Sequence, residues 1–259
     1  VALSVALLAG AGLLVRSFQE LSRVDTGFDP TNVLTFKITG SFAEGFDARV
    51  QGVERMLEEL AALPGVEGTA ASSPVPGVLN DGSGFQFGTT EWRVAGGDPE
   101  LRPIAEQRVV SPSYFATMAI PMLGGETCRR QPADGVQEVV INQAFASRYL
   151  SGGSPVGSFL STPGGRQVRI IGVAGNARDF GLDREPVPTT YNCGTVVAYP
   201  PLALLVRTTN EPMTMVNAVR QRLAQIEPQR SMYAVMPLEQ RIGNEYSADR
   251  LRTAVTALF

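Results

Sequence analysis

Histidine is absent from the 259 residues. Its absence removes Ser-His-Asp and Cys-His catalysis, the commonest zinc sites and the usual proton shuttle near neutral pH. Charge is also scarce. Only 18% of the residues are charged and the net charge is -3, so no basic field exists to attract nucleic acid, and nucleic-acid binding is excluded as a function class. Lysine occurs once, at Lys37, and the other cations are arginines. The two cysteines, Cys128 and Cys193, can close one disulfide around a long loop in an oxidising compartment; the alternative is two separate buried thiols. An apolar stretch with no charged residue stands at the front, Val1 to Val15. As a helix it reaches roughly 22 Å, short of the ~30 Å hydrocarbon layer of a membrane.

That opening, "VALSVALLAGAGLLVRSFQEL", carries no basic leader and no small-residue cleavage site, so it does not read as a signal peptide. It reads instead as the truncated end of a transmembrane helix. The far end, "RLRTAVTALF", turns apolar in the same way. The expectation is a domain lying between two membrane spans, the alternative being a soluble protein with an apolar helix at each end.

Between the ends the pattern is mixed α and β. "VLTFKIT" predicts a strand, and "DARVQGVERMLEELAALPG" predicts a helix with Val50, Val53, Met56, Leu57, Leu60 and Leu63 at helical spacing. Asp47 is the expected N-cap, Pro64-Gly65 stops the helix, and "VEGTAAS" follows as a strand. The same order returns later. "ALLVRTT" is a strand and "NEPMTMVNAVRQRLAQI" a helix capped at Asn210 or Glu211; "SMYAVMPL" is the closing strand. Two β-α-β units of matching order predict an α+β, split ferredoxin-like unit in two halves, residues 24–73 and 196–247. Residues 74–195 are then an inserted α+β subdomain. In it "EWRVAG" and "IAEQRVV" read as strands, and "SPSYFATMAI" as a short helix with Ser111 as cap. "EVVINQAFASRYL" is a strand entering a helix at Asn142, and "GSFLSTPGGRQVRIIGVAGNAR" is a hairpin turning at Pro163-Gly164-Gly165. Residues 1–23 and 248–259 are assigned to stalks and truncated spans.

No motif assembles an active site. "GVAGNARDFG" lacks both the dinucleotide fingerprint and the lysine of a phosphate loop, and "GGSPVG" lacks the spacing of a nucleophile elbow. Asp179, Asp183 and Glu185 alternate with Arg178 and Arg184, which reads as a solvated, ion-paired loop. Asp81-Gly82 lacks the acidic ligands that would make a calcium loop. No catalytic residue, cofactor or metal ligand is assigned.

Five stretches carry a resemblance: "LLVRSFQELSRVDTGFDPTNVLTF", "RVVSPSYFATMAIPMLGG", "VVINQAFASRYLSGGSPVG", "VRIIGVAGNARDFGLDREPVP" and "VRQRLAQIEPQRSMYAVMPLEQRI". In this order they resemble the MacB/FtsX-like permeases, above all the duplicated orphan permeases with two permease halves in one polypeptide. The resemblance implies the extracytoplasmic core domain of an ABC transporter permease, with a porter-like part, an inserted subdomain and no catalytic residue. It implies a multi-pass protein of the bacterial inner membrane with this domain in the periplasm. The partners it implies are a cytoplasmic ABC ATPase subunit, a second permease half or a second copy, and a periplasmic partner protein. Cys128 stands where the family commonly has a basic or aromatic residue, and "YNCGTVV" where it has a proline-rich strand, so the cysteine pair is a departure particular to this chain. The loop from Pro74 to Gly88 lies where such domains vary. Val78, Leu79, Asn80, Asp81, Phe85 and Phe87 are its candidates for a partner- or substrate-facing surface, the alternative being a merely tolerant loop. The expected function is mechanical coupling of ATP-driven membrane-helix motion to export or work outside the membrane. The alternative function is an extracytoplasmic ligand-binding sensor module, and a hydrolase is retained only formally.

Overall fold

The computed structural model describes residues 25–39, 45–78, 88–98, 100–129, 135–150, 152–181, 184–193 and 202–245. The first β-α-β unit is β1 (Val33–Ile38), α1 (Phe46–Ala61) and β2 (Val66–Ser73). The middle of the chain supplies β3 (Thr89–Glu91), β4 (Arg93–Val94), β5 (Ile104–Val110), α2 (Tyr114–Thr117), β6 (Met122–Gly125), β7 (Glu138–Asn142), α3 (Gln143–Tyr149), β8 (Phe159–Ser161), β9 (Gln167–Ala174) and β10 (Thr189–Cys193). The last unit is β11 (Ala203–Thr208), a 3-10 turn (Pro212–Met215), α4 (Val216–Ile226) and β12 (Met232–Pro237), after which residues 238–245 are helical.

Among the described residues these strands form one mixed sheet in the order β12-β1-β11-β2-β5-β10-β7-β9-β8-β4, with β3 on β5 and β6 on β9. The first four strands are antiparallel throughout. The sheet then crosses from β2 to β5 through just two residue pairs, Ser72↔Val110 and Ser73↔Val109. At this point one continuous ladder passes from the first four strands into the strands of the middle of the chain.

Three cores fill the faces. α1 and α4 lay Val53, Met56, Leu57, Leu60, Val219 and Leu223 on Leu34, Phe36, Ala71, Leu204 and Val206, one face of the first four strands. The helical spacing of the first of these residues puts them on one stripe, and burying it against the sheet is what holds α1. On the far side of the sheet, Trp92, Phe145, Val139, Ile141, Leu160, Val168 and Ile170 pack under α3. A third core lies between, where Val33, Ala70, Ala203 and Leu205 of the first four strands meet Tyr114, Phe115, Met118, Val140, Ile171 and Tyr191. This shared core sits beside the narrow β2–β5 crossing and bridges it.

Local details differ from the sequence expectation for identifiable reasons. Gly45, not Asp47, occupies the N-cap of α1, and Asp47 sits in the first turn, where its charge favours the positive helix end. Ser113 takes the N-cap of α2, because the Ser111 hydroxyl is engaged across the sheet by the Ala71 N–H at 3.0 Å. "EWRVAG" is broken at Trp92, whose side chain is buried, so β3 and β4 are separate. β6 ("MLGG") carries too little branched or aromatic signal to be read as a strand. Glu211 caps the 3-10 turn, accepting from the Met213 N–H at 3.1 Å.

Asn142 ends β7 and caps α3. Its Oδ1 accepts from the N–H groups of Phe145 (2.9 Å) and Thr189 (3.0 Å), and its Nδ2 donates to the Val187 carbonyl (2.8 Å). Asn142→Ala removes a cap and takes the side-chain acceptor from the buried Thr189 N–H, an expected loss of about 2 kcal/mol. Asn142→Asp keeps both acceptor bonds and is expected to lose less. Guanidinium unfolding followed by the fluorescence of Trp92, the single tryptophan, measures both.

Candidate functional site

The first and the last described segments meet at one place. Phe28, three residues past the first described residue, is buried in the shared core with Leu238 and Ile242 of the final helical segment. They meet over Gly77, which has φ +74: a Cβ there would stand 3.1 Å from both Phe28 Cζ and Ile242 Cδ1. Only glycine lets these two segments close over that loop, through its positive φ and its missing side chain. The Gly77 N–H in turn donates to the Asp179 carbonyl at 3.1 Å.

Asp179 anchors the polar centre of the molecule. Its side chain is 1% exposed and that of Arg108, on β5, is 0% exposed, with Arg108 Nε 3.4 Å from Asp179 Oδ2. Arg108 Nη2 also donates to the Asp179 carbonyl (3.0 Å), and Nη1 donates to Ser72 Oγ (3.1 Å) and to the Pro74 carbonyl (2.6 Å). Ser72 Oγ donates to the same Pro74 carbonyl at 2.8 Å, beside the cis Ser73–Pro74 bond. The Asp179 carboxylate accepts from Tyr114 (3.1 Å, Oδ1) and Tyr191 (2.7 Å, Oδ2), and the guanidinium lies 5.2 Å from the Phe180 ring centre. Burial, and then the adjacent Asp179 charge, push both phenols well above the ordinary tyrosine range, so they remain donors. The reading of Asp179 as part of a solvated loop is therefore corrected: its partners lie 65, 71 and 12 positions away, not beside it.

The entering segment has its own clamp. Arg207 of β11 donates to the Asp29 carboxylate (3.1 Å) and to the carbonyls of Asp29 (2.5 Å), Thr31 (2.8 Å) and Thr117 (2.6 Å). Against its partial burial, the Thr31 N–H and hydroxyl and the Arg207 charge hold Asp29 below the usual carboxylate range. The remaining expected site residues are dispersed. Cys128 and Cys193 are joined in a disulfide with Cα atoms 5.1 Å apart, tying the end of β10 to the segment after β6. Val78 is 3% exposed and belongs to the shared core beside Phe28 and Ile242, so its side chain is not offered to a partner. Leu79, Asn80, Asp81, Phe85 and Phe87 lie outside the described residues, as do the apolar ends 1–23 and 248–259. Among the described residues no helix is long and apolar enough to cross a membrane, and no group of His, Cys, Asp or Glu is placed to hold a metal ion.

Two outcomes follow from the buried pair. Arg108→Met or Asp179→Leu alone strands a charge and is expected to cost about 3–5 kcal/mol, whereas the double variant is expected to cost less than the sum. A double-mutant cycle by guanidinium unfolding reads the difference. The tyrosines make stability pH-dependent. Their folded pKa lies above the unfolded value of about 10, so the contribution is complete below that pH and is lost as pH rises above it. Denaturation midpoints across the alkaline range should fall, and the Tyr114→Phe/Tyr191→Phe variant should fall less steeply.

The comparisons agree with this architecture. The family described as the MacB-like periplasmic core domain matches residues 1–239. The fold is similar to the periplasmic region of MacB from Actinobacillus actinomycetemcomitans, at 14% identity and a TM-score of 0.52 over 85% of this chain and 95% of that one. It is also similar to a permease-protein domain from Porphyromonas gingivalis, at 13% identity and a TM-score of 0.50 over 81% and 92%. No curated protein sequence matches significantly. With a family match across most of its length and the fold of these domains, the chain belongs to the MacB-like periplasmic core domains, the extracytoplasmic domains of ABC transporter permeases.

Proposed function

We propose that this domain is a mechanical transmitter: it carries ATP-driven motion of membrane helices to work outside the membrane and performs no chemistry of its own. The observation that supports this most directly is the meeting of Phe28 and Ile242, from the first and last described segments, over Gly77. Two connections seated side by side on one buried loop are arranged to move a body, and the Gly77–Asp179–Arg108 bonds carry that loop's position into β5.

The antiparallel order β12-β1-β11-β2 with two helices on one face supports a split ferredoxin-like, porter-like unit built from residues 24–73 and 196–247. Residues 74–195 are its inserted subdomain. On this reading residues 1–23 and 248–259 are stalks and the ends of membrane spans, and the whole protein is multi-pass in the bacterial inner membrane. Its partners are a cytoplasmic ABC ATPase and a second permease half or second copy, with a periplasmic protein as a third. The Cys128–Cys193 bond fits an oxidising compartment. The loop that follows Val78 is the proposed partner-facing segment.

In the full-length permease with its ATPase, deleting residues 25–247 should abolish transport while leaving membrane insertion and ATP hydrolysis in place. Undiminished transport rejects the proposal.

A further inference from the structure

The two connections are attached to the body in different ways. The N-terminal one, residues 25–32, is held along its length by both parts of the sheet. On the side of the middle elements, the Arg178 N–H donates to the Thr26 carbonyl (2.8 Å), Arg178 Nε donates to the Asp25 carbonyl (3.1 Å), and the Asp29 N–H donates to the Met118 carbonyl (2.9 Å). Gly27, at φ +69, lies so close to this side that a Cβ would stand 1.8 Å from the Asn176 oxygen. On the side of the first four strands, Arg207 holds Asp29 and Thr31, and the Thr208 N–H donates to the Asn32 carbonyl at 2.9 Å. β11, which carries Arg207 and Thr208, is an inner strand paired on both edges.

The C-terminal connection grows out of β12, the outermost strand. The ladder between β12 and β1 is interrupted between Thr35 and Lys37, and Ala234 has a left-handed φ of 50°. Leu238 and Ile242 seat the following helical residues in the shared core; Arg241 donates back to the Ala234 carbonyl of β12 itself, and the bonds to the neighbouring strand run through one side chain, Thr35, whose Oγ1 accepts from Arg241 Nε (3.0 Å) and donates to the Met236 carbonyl (2.7 Å). Apolar contact is non-directional and resists sliding poorly, whereas a backbone held by bonds from several directions has one position. An edge strand with an irregular ladder also yields before an inner one.

We infer that the N-terminal connection is the stiff input of this domain: displacement applied ahead of Asp25 moves both parts of the sheet together, and the C-terminal connection follows. Arg207 and Gly27 are the positioning residues. The inference rests on the mechanical reading above, and one experiment separates the two.

The full-length permease with its ATPase is placed in lipid nanodiscs containing an acceptor-labelled lipid, with a donor dye on Gln51→Cys in α1 or on Gln167→Cys in β9. Both positions are exposed, and the native cysteines are bonded to each other. Addition of ATP should shift energy transfer at both positions. A Gly-Ser spacer inserted between residues 24 and 25 should abolish both shifts, and the same spacer after Glu245 should leave them. The spacers lie outside the described body, and an unchanged melting temperature confirms that it is folded. Arg207→Met should reduce the shift at Gln51→Cys without reducing ATP hydrolysis. Absence of any ATP shift in the parent chain overturns the mechanical reading itself. A parent shift that is lost with the C-terminal spacer, lost equally with both, or lost with neither overturns the stiff-input assignment while the domain's movement stands.

Discussion

The buried contact between Arg108 and Asp179 constrains the placement of everything around it. Removing a guanidinium and a carboxylate from water costs several kcal/mol for each ion, and that cost is met only where the geometry satisfies both. Here the guanidinium reaches the Asp179 carboxylate, the carbonyls of Asp179 and Pro74 and the Ser72 hydroxyl, while two tyrosine hydroxyls complete the carboxylate. No member of that set can move far without stranding another. The loop after β2, the loop after β9, α2 and β10 are thereby registered on β5, although they come from widely separated parts of the chain. Gly77 is hung from the same aspartate, so the floor on which the first and last described segments meet is fixed by the ion pair as well.

Much of the architecture is legible in local pattern. Helical spacing from Val50 to Leu63 and from Val216 to Ile226, and branched runs such as "VLTFKIT" and "ALLVRTT", correspond to α1, α4, β1 and β11, because each element buries one stripe or face that its own residues announce. Asn142 is legible for the same reason, since a strand ending in Asn before a helical run has few other uses. The polar centre is not legible in this way. Asp179 has arginines on its flanks in sequence, and charge alternation along a loop reads as solvation; the arginine that matters is 71 positions away on a strand. A weak clue exists in "IAEQRVV", where an arginine stands inside a run that reads as a strand, but nothing local says that it turns inward. Caps slipped by two residues at α1 and α2 because backbone entry and cross-sheet demand decide which residue takes the end of a helix.

The narrowest point of the molecule is the crossing from β2 to β5, where two residue pairs join what are otherwise two four-stranded-or-larger sheet regions. Taken alone, such a seam would bend. It is covered on one face by the shared core, in which Val33, Ala70 and Leu205 from one side pack with Tyr191, Val140 and Ile171 from the other. Protein interiors at this density resist deformation, because opening them forfeits many small contacts at once. Arg108 pins the same seam from within β5 by binding Ser72 and Pro74 at the end of β2.

A seam reinforced in this way has a consequence for how motion passes through the body. If the crossing were soft, a pull on the connections would open the sheet like a clamshell and the work would be spent inside the domain. With the crossing stiffened by a packed face and a buried ion pair, the softer element among the described residues is the outermost strand β12. Under the proposed mechanical role, the two parts of the sheet would then turn as one unit and little of the movement would be spent inside the domain. The fold that results is rigid where charge is buried and compliant at its edge.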